Sequence, residues 1–276
     1  MTATVFASIP SPSRGVIPLG PLDLHAYGLM IALGVVAAVS IASHRLEARG
    51  GDPGLISSIA IWAVPGGLIG ARLYHVATDW YRFDHGHWLD VFKVWEGGLG
   101  IWGGVLGGVL VGAWVARRRG ASVPMLMDVV APALPVAQAI GRWGNWFNQE
   151  LFGKPTTVPW ALRIDPSHRP DGYERFATFH PTFLYESLWC LLTAGVCIWV
   201  ERRWPGRLKP GRLFAVYVAV YTFGRFWWER MRIDDATHVL GLRINEWVSA
   251  IVCLGAVAFV VTGLRKPVEV EEPLAG

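Results

Sequence analysis

The sequence predicts an all-α fold: a polytopic membrane helix bundle of about seven transmembrane helices, built as a single membrane-embedded domain over residues 1–276. Three observations carry this expectation. The chain is 53% hydrophobic and only 17% charged, whereas a soluble domain usually holds about 25% charged residues. The missing charges are withheld from long runs, so that 26–43, 97–116 and 247–264 contain no Asp, Glu, Lys or Arg. Each run is long enough to cross a hydrocarbon layer of about 30 Å as a helix. Finally, basic residues gather on alternate connecting segments.

The elements follow in order. Helix 26–43 is the first uncharged run. Helix 54–78 is uncharged as far as Gly70 and broken only by Arg72. Helix 97–116 is rich in glycine, with Gly100, Gly104, Gly108 and Gly112 at every fourth position and Gly103 and Gly107 alongside. Such spacing lets helix backbones pack closely in lipid, a packing signal and not a catalytic one. Helix 124–141 contains Asp128 and three prolines, which predicts a kinked crossing. Helix 181–200 carries Glu186 near its start, helix 213–228 ends in Arg225, and 246–264 closes the set.

Basic residues set the orientation. "ARRRG" and "ERRWPGRLKPG" fall on the same side as 44–53 and 265–276, and these segments are far denser in Lys and Arg than the remaining connections. The amino terminus is therefore expected outside, the carboxy terminus in the cytoplasm, and 142–180 as an extracytoplasmic segment.

Other classes find little support. A net charge of +4 is too small to argue for nucleic acid. "MTATVFASIPSPSRG" lacks a basic region leading into an apolar core, so no cleaved signal peptide is expected. Cys190, Cys197 and Cys253 lie in apolar runs and read as small buried hydrophobes. His85 and His87 in "DHGH" are too few to indicate a metal.

The candidate chemistry lies in "GRWGNWFNQELFG", residues 141–153, where polar groups alternate with aromatic ones. Trp and Phe settle at the membrane–water boundary, and this stretch is placed there. Arg72, His75, Tyr185, Glu186, Arg225, Glu229, His25 and Tyr27 are expected at the same level. Charges at such depth are costly unless they face the bundle interior and pair. On a helix Arg225 and Glu229 are neighbours, Arg232 continues their face, and Arg142, Asn145 and Gln149 share another. A lone arginine at a helix end is usually a snorkelling anchor, the reading for Arg175, Arg202 and Arg243. Two arginines with two carboxylates and asparagine amides exceed what anchoring needs. A planar guanidinium fork suits paired phosphate oxygens, which points to an anionic lipid headgroup.

These motifs resemble those of the prolipoprotein diacylglyceryl transferase family. "GRWGNWFNQELFG" is similar to its signature, and "HAYGLM", "VWEGGLGIWGGVLGGVL", "HPTFLYES" and "GRFWWERMRIDD" resemble its other motifs in order along nearly the whole chain. The resemblance implies transfer of the diacylglyceryl group of phosphatidylglycerol to the lipobox cysteine of prolipoprotein signal peptides. It implies a multi-pass protein of the bacterial plasma membrane, among membrane lipids and without a cofactor. It also implies catalytic roles for Arg142, Arg225, Glu150 and Glu229, the carboxylates orienting the arginines or relaying protons. Substrate contacts would come from Arg142, Tyr27, Asn145, Asn148, Gly153, His180 and Tyr185. One departure stands out: many members carry a histidine, proposed as thiol base, where this chain has Trp102. His25, His180 or Glu150 could serve instead, or the arginines alone could activate the thiol. The competing class is a lipid or small-anion transporter, which usually shows internal repeats and charges at the bilayer midplane; neither is evident here.

Overall fold

The computed structural model describes residues 8–19, 22–83, 88–93 and 97–262. The expectations for the extreme termini, for His85 and His87, and for positions 263 and 264 fall outside these residues. Among the described residues there are eight α-helices: α1 Ala26–Glu47, α2 Gly54–Thr78, α3 Ile101–Arg118, α4 Val123–Val130, α5 Ala133–Asn148, α6 Thr182–Arg203, α7 Arg212–Met231 and α8 Ile244–Thr262. Three short antiparallel strand pairs accompany them. They are β1 Val16–Leu19 with β2 Leu22–His25, β3 Leu162–Arg163 with β4 Thr178–Phe179, and β5 His238–Val239 with β6 Leu242–Arg243.

The fold is mostly helical. By length and composition α1, α2, α6 and α8 are able to cross a membrane, and α4 with α5 makes a fifth if the bent pair is one span. Glycine and the terminal Arg117 and Arg118 dilute α3, while Arg225, Glu229 and Arg230 dilute α7, so these two do not reach the same standard. The expected kink is a break of two residues between α4 and α5 with a 48° bend. Pro132 precedes α5 and Pro135 lies in its first turn, where the missing N–H costs little.

Several boundaries differ from the sequence reading. The third helix begins at Ile101 because Gly97 and Gly98 take left-handed backbone angles, φ 88° and 70°, which end any helix before them. The extracytoplasmic segment was expected from residue 142, but α5 continues to Asn148, so Arg142 to Asn148 is helical. Asp128, expected inside a crossing, accepts from the Gly211 and Phe214 backbone N–H groups at 2.7 and 3.0 Å, capping α7.

The chain forms two compact units, Val39–Leu126 and the remainder, Met1–Ala38 with Met127–Gly276. In the first, α2 packs on α3 through glycine. A Cβ at Gly107 would meet the Gly66 and Gly70 backbones, and one at Gly103 would meet the carbonyl of Gly70. The spacing seen in α3 thus has a matching partner in α2. Arg72 is buried there, donating from Nε to Val91 O at 2.8 Å and from Nη1 to Gly97 O at 2.7 Å, and from Nη2 to Asp90 O. Its fork is taken up in ordering the loop after α2. His75 Nδ1 lies 2.9 Å from Asp79, and Trp102 is exposed.

In the second unit α5 packs on α6, α6 on α7, and α7 on α8. Between the end of α5 and the start of α6, Phe152, Leu162, Ile164, Phe179 and Phe183 form a small apolar core with Ile9 and Trp146 against it. This core roots the loop between α5 and α6.

Candidate functional site

The site grows from the end of α5. Gly144 lets the ring of Tyr27, in the first turn of α1, lie against the helix; a Cβ there would come within 3.0 Å of Tyr27 Cγ. Past Asn148 the chain reverses. Gln149 and Leu151 have φ of 51° and 57°, left-handed values that cost non-glycine residues energy and persist only when the surroundings impose them. The Gln149 side chain supplies the constraint. Its Nε2 donates to Pro12 O at 2.9 Å and to Asp165 Oδ2 at 2.7 Å, while its Oε1 accepts from the Asp165 N–H at 2.8 Å. The reversal brings Glu150 back over α5, where its Oε1 accepts from Asn145 Nδ2 at 2.8 Å and Asn148 Nδ2 at 3.4 Å. Gly153 then meets Arg232 in an antiparallel bridge and donates its N–H to His180 O at 2.9 Å. A Cβ at Gly153 would press on His180, Thr182 and the Met231 carbonyl, so only glycine fits.

The arginines come from two different helices and meet on a third. Arg142 Nη2 of α5 lies 2.7 Å from Glu186 Oε2 of α6, and Arg225 Nη1 of α7 lies 3.6 Å from the same oxygen. Glu186 is buried. Close approach of α6 and α7 is possible because Gly224 leaves the space that the Trp189 indole fills, with Trp189 Nε1 donating to Val220 O at 2.9 Å. Arg142 also donates to the Tyr221 hydroxyl at 3.4 Å.

From Arg225 the network runs outward. Its Nη2 is 2.9 Å from Glu229 Oε2, and Glu229 is fully enclosed. Arg232 at 3.4 Å, Arg243 at 3.3 Å and Asn245 at 3.2 Å complete the Glu229 shell. Burying a carboxylate so deeply is costly unless its oxygens are met by donors, and here several converge. Asp234 closes the chain, bidentate to Arg232 at 2.7 and 2.8 Å and 3.0 Å from Arg243. Burial raises the Asp234 carboxyl, but the Arg232 fork and then Arg243 outweigh it and hold the group below the ordinary aspartate value. Arg243 reaches this place because Leu240 and Gly241, both left-handed, make the tight turn between β5 and β6.

Of the residues expected in the site, Arg142, Arg225 and Glu229 fall in one ion-pair network. Asn145, Asn148 and Glu150 form a second group at the end of α5. The carboxylate on Arg142 is Glu186, while Glu150 is exposed and bonded to the two asparagines. His180 and Tyr185 bond to each other at 3.1 Å, and Trp160 Nε1 donates to the Tyr185 hydroxyl at 2.8 Å. Burial holds the His180 imidazole below its ordinary 6.5. Arg243, read from sequence as a snorkelling anchor, is instead buried among carboxylates, because β6 turns it inward. Tyr221 was missed, although Tyr217, Tyr221, Arg225 and Glu229 recur every fourth residue along α7 and mark one polar face.

Comparison with known proteins decides the family. The family model described as prolipoprotein diacylglyceryl transferase matches residues 14–262. The chain belongs to the prolipoprotein diacylglyceryl transferase family. It is 59% identical over 96% of its length to the phosphatidylglycerol–prolipoprotein diacylglyceryl transferase of Frankia alni, covering 70% of that protein. It is 56% identical over 94% of its length to transferase 1 of Streptomyces coelicolor, covering 75% of it. With the transferase of Cutibacterium acnes it shares 51% identity over 94% of its length and 88% of that protein. Within this transferase family the five motifs read from the sequence map onto α1, α3, the end of α5, the start of α6 and the end of α7.

Proposed function

We propose that this chain transfers the diacylglyceryl group of phosphatidylglycerol to the lipobox cysteine thiol of prolipoproteins, releasing glycerol phosphate. One observation carries the reading: in a member of this family, Arg142 and Arg225 from separate helices share one buried carboxylate. A C–S bond forms at the glycerol carbon as the C–O bond to phosphate breaks. The electron pair of that bond leaves with the phosphate, and the thiol proton passes to a base. Charge therefore grows on phosphate oxygens, where preplaced guanidinium donors stabilise the transition state most. A nearby cation also favours the thiolate over the thiol.

In this reading Arg142 and Arg225 contact the phosphate and Glu229 orients Arg225. Asn145 and Asn148 bind the headgroup beside Glu150. Tyr27 lines the lipid side, and His180, Tyr185 and Gly153 shape the approach from the loop. Glu150, His25 and His180 are the candidate bases, and Trp102 takes no proton. The helices would make seven spans, counting α4 with α5 as one, in the bacterial plasma membrane. The amino terminus would lie outside and the carboxy terminus in the cytoplasm.

The test is incubation of membranes containing the protein with labelled phosphatidylglycerol and a lipobox peptide. A peptide that gains the mass of a diacylglyceryl group supports the reading. Movement of lipid between leaflets with an unmodified peptide would replace it with transport.

A further inference from the structure

Glu186 is the group for which the reaction just described has no task. It is buried in the first turns of α6, and two guanidinium groups from α5 and α7 approach its Oε2 at 2.7 and 3.6 Å. Two cations brought so close repel each other, and a carboxylate between them removes that repulsion while fixing where each one points. A guanidinium carries five N–H donors, and only part of each is used here. Arg142 spends Nη2 on Glu186 and Tyr221. Arg225 spends Nη1 on Glu186 and Nη2 on Glu229. Among the described residues, Nε and Nη1 of Arg142 have no hydrogen-bond partner, so its fork keeps donors for an anion.

We propose that Glu186 is a positioning residue that locks Arg142 and Arg225 into a single anion-gripping pair, setting the direction of their remaining donors toward one phosphodiester. This rests on the transferase reading and assigns the task of alignment within it. Glu186 touches no substrate in this account; it acts through the two arginines. The charge supplies the lock, so an amide of the same size does not replace it. Loss of the carboxylate leaves the local positive charge higher, so attraction of the anionic headgroup persists while alignment is lost. The effect then falls on turnover and not on substrate capture.

The experiment compares Glu186→Gln with Glu186→Asp in the full-length protein. Thermal unfolding in detergent is measured beside kcat and KM for phosphatidylglycerol with a lipobox peptide. Glu186→Gln is expected to lose about tenfold or more in kcat with KM not raised. Glu186→Asp, which keeps the charge on a shorter arm, is expected to be the more active of the two. A packing role alone gives the reverse order, since glutamine fits the buried site and aspartate leaves a gap. Equal or greater activity in Glu186→Gln overturns the proposal. If neither variant folds, the cycle of Arg142→Lys, Arg225→Lys and the double variant decides. Strong non-additivity in kcat is expected of a locked pair, and additive losses overturn it. Full activity in Arg142→Lys would remove the transferase site itself. An inactive Arg142→Lys beside a fully active Glu186→Gln removes only the positioning role.

Discussion

Arg142 and Arg243 show how much one side chain's surroundings decide. Arg142 lies in the second half of α5 and Arg243 just before α8, and each meets carboxylate oxygens from elsewhere in the chain, Glu186 for Arg142 and Glu229 with Asp234 for Arg243. For Arg142 the planar fork matters more than the charge, so Arg142→Lys is expected to lower kcat by about a hundredfold, read as rate of peptide lipidation. Arg117→Lys, on an exposed position at the end of α3, is expected to leave that rate and the unfolding temperature nearly unchanged. For Arg243 the expected readout is stability. Removing it in Arg243→Ala leaves Glu229 enclosed with fewer donors, at a cost of about 3–5 kcal/mol in denaturant unfolding. Asp234 adds a pH signature. Its carboxyl is held below the ordinary 3.8 in the folded protein, so its contribution is present above 3.8 and is lost as pH falls through the lower folded value. Asp234→Asn should therefore be less stable than the parent at neutral pH, and the two unfolding curves should converge in acid.

Among the elements, the α2–α3 pair depends on glycine and the α5–α6–α7 group on charge. Gly103 and Gly107 of α3 face Gly66 and Gly70 of α2 with backbones in direct approach. Gly107→Val is accordingly expected to lower the unfolding temperature, because the branched side chain meets backbone that cannot yield. Gly104→Ala, whose new Cβ would meet the Ala71 methyl at 3.4 Å, is expected to be tolerated. The repeat in α3 was visible in the sequence because spacing alone reveals a packing ridge. Its partner in α2 went unread, since two glycines a turn apart inside "PGGLIGAR" give little signal before the helices are juxtaposed. The same limit explains Glu186 and Arg243. Sequence spacing pairs residues on one helix, as it did Arg225 with Glu229, but a carboxylate serving arginines of two other helices has no local mark.

For the whole molecule, hydropathy revealed the class readily and the number of crossings less so. Four helices, or five with the bent pair, are apolar enough by themselves, whereas α3 and α7 exchange hydropathy for close packing and for the ion-pair network. Orientation is open to a direct check. Glu174 and Lys209 are exposed in loops at either end of α6, and a cysteine placed at Glu174 should react with an impermeant maleimide on intact cells. One at Lys209 should react only after permeabilisation. Both results reversed would invert the topology. The motifs at the end of α5, the start of α6 and the end of α7 lie where helices end or begin, and there backbone direction and side-chain chemistry must agree.

The described residues ahead of β1 contribute no ionisable group to the network, yet they are stitched to the reversal after α5. Trp146 Nε1 donates to Pro10 O at 3.0 Å, Gln149 holds Pro12 O, and Ile9 pairs with Ala161 and Arg163 through its backbone. Trimming the chain up to residue 12 would strip the acceptors from an indole and an amide that enforce an unfavourable bend, and Glu150 would drift from Asn145.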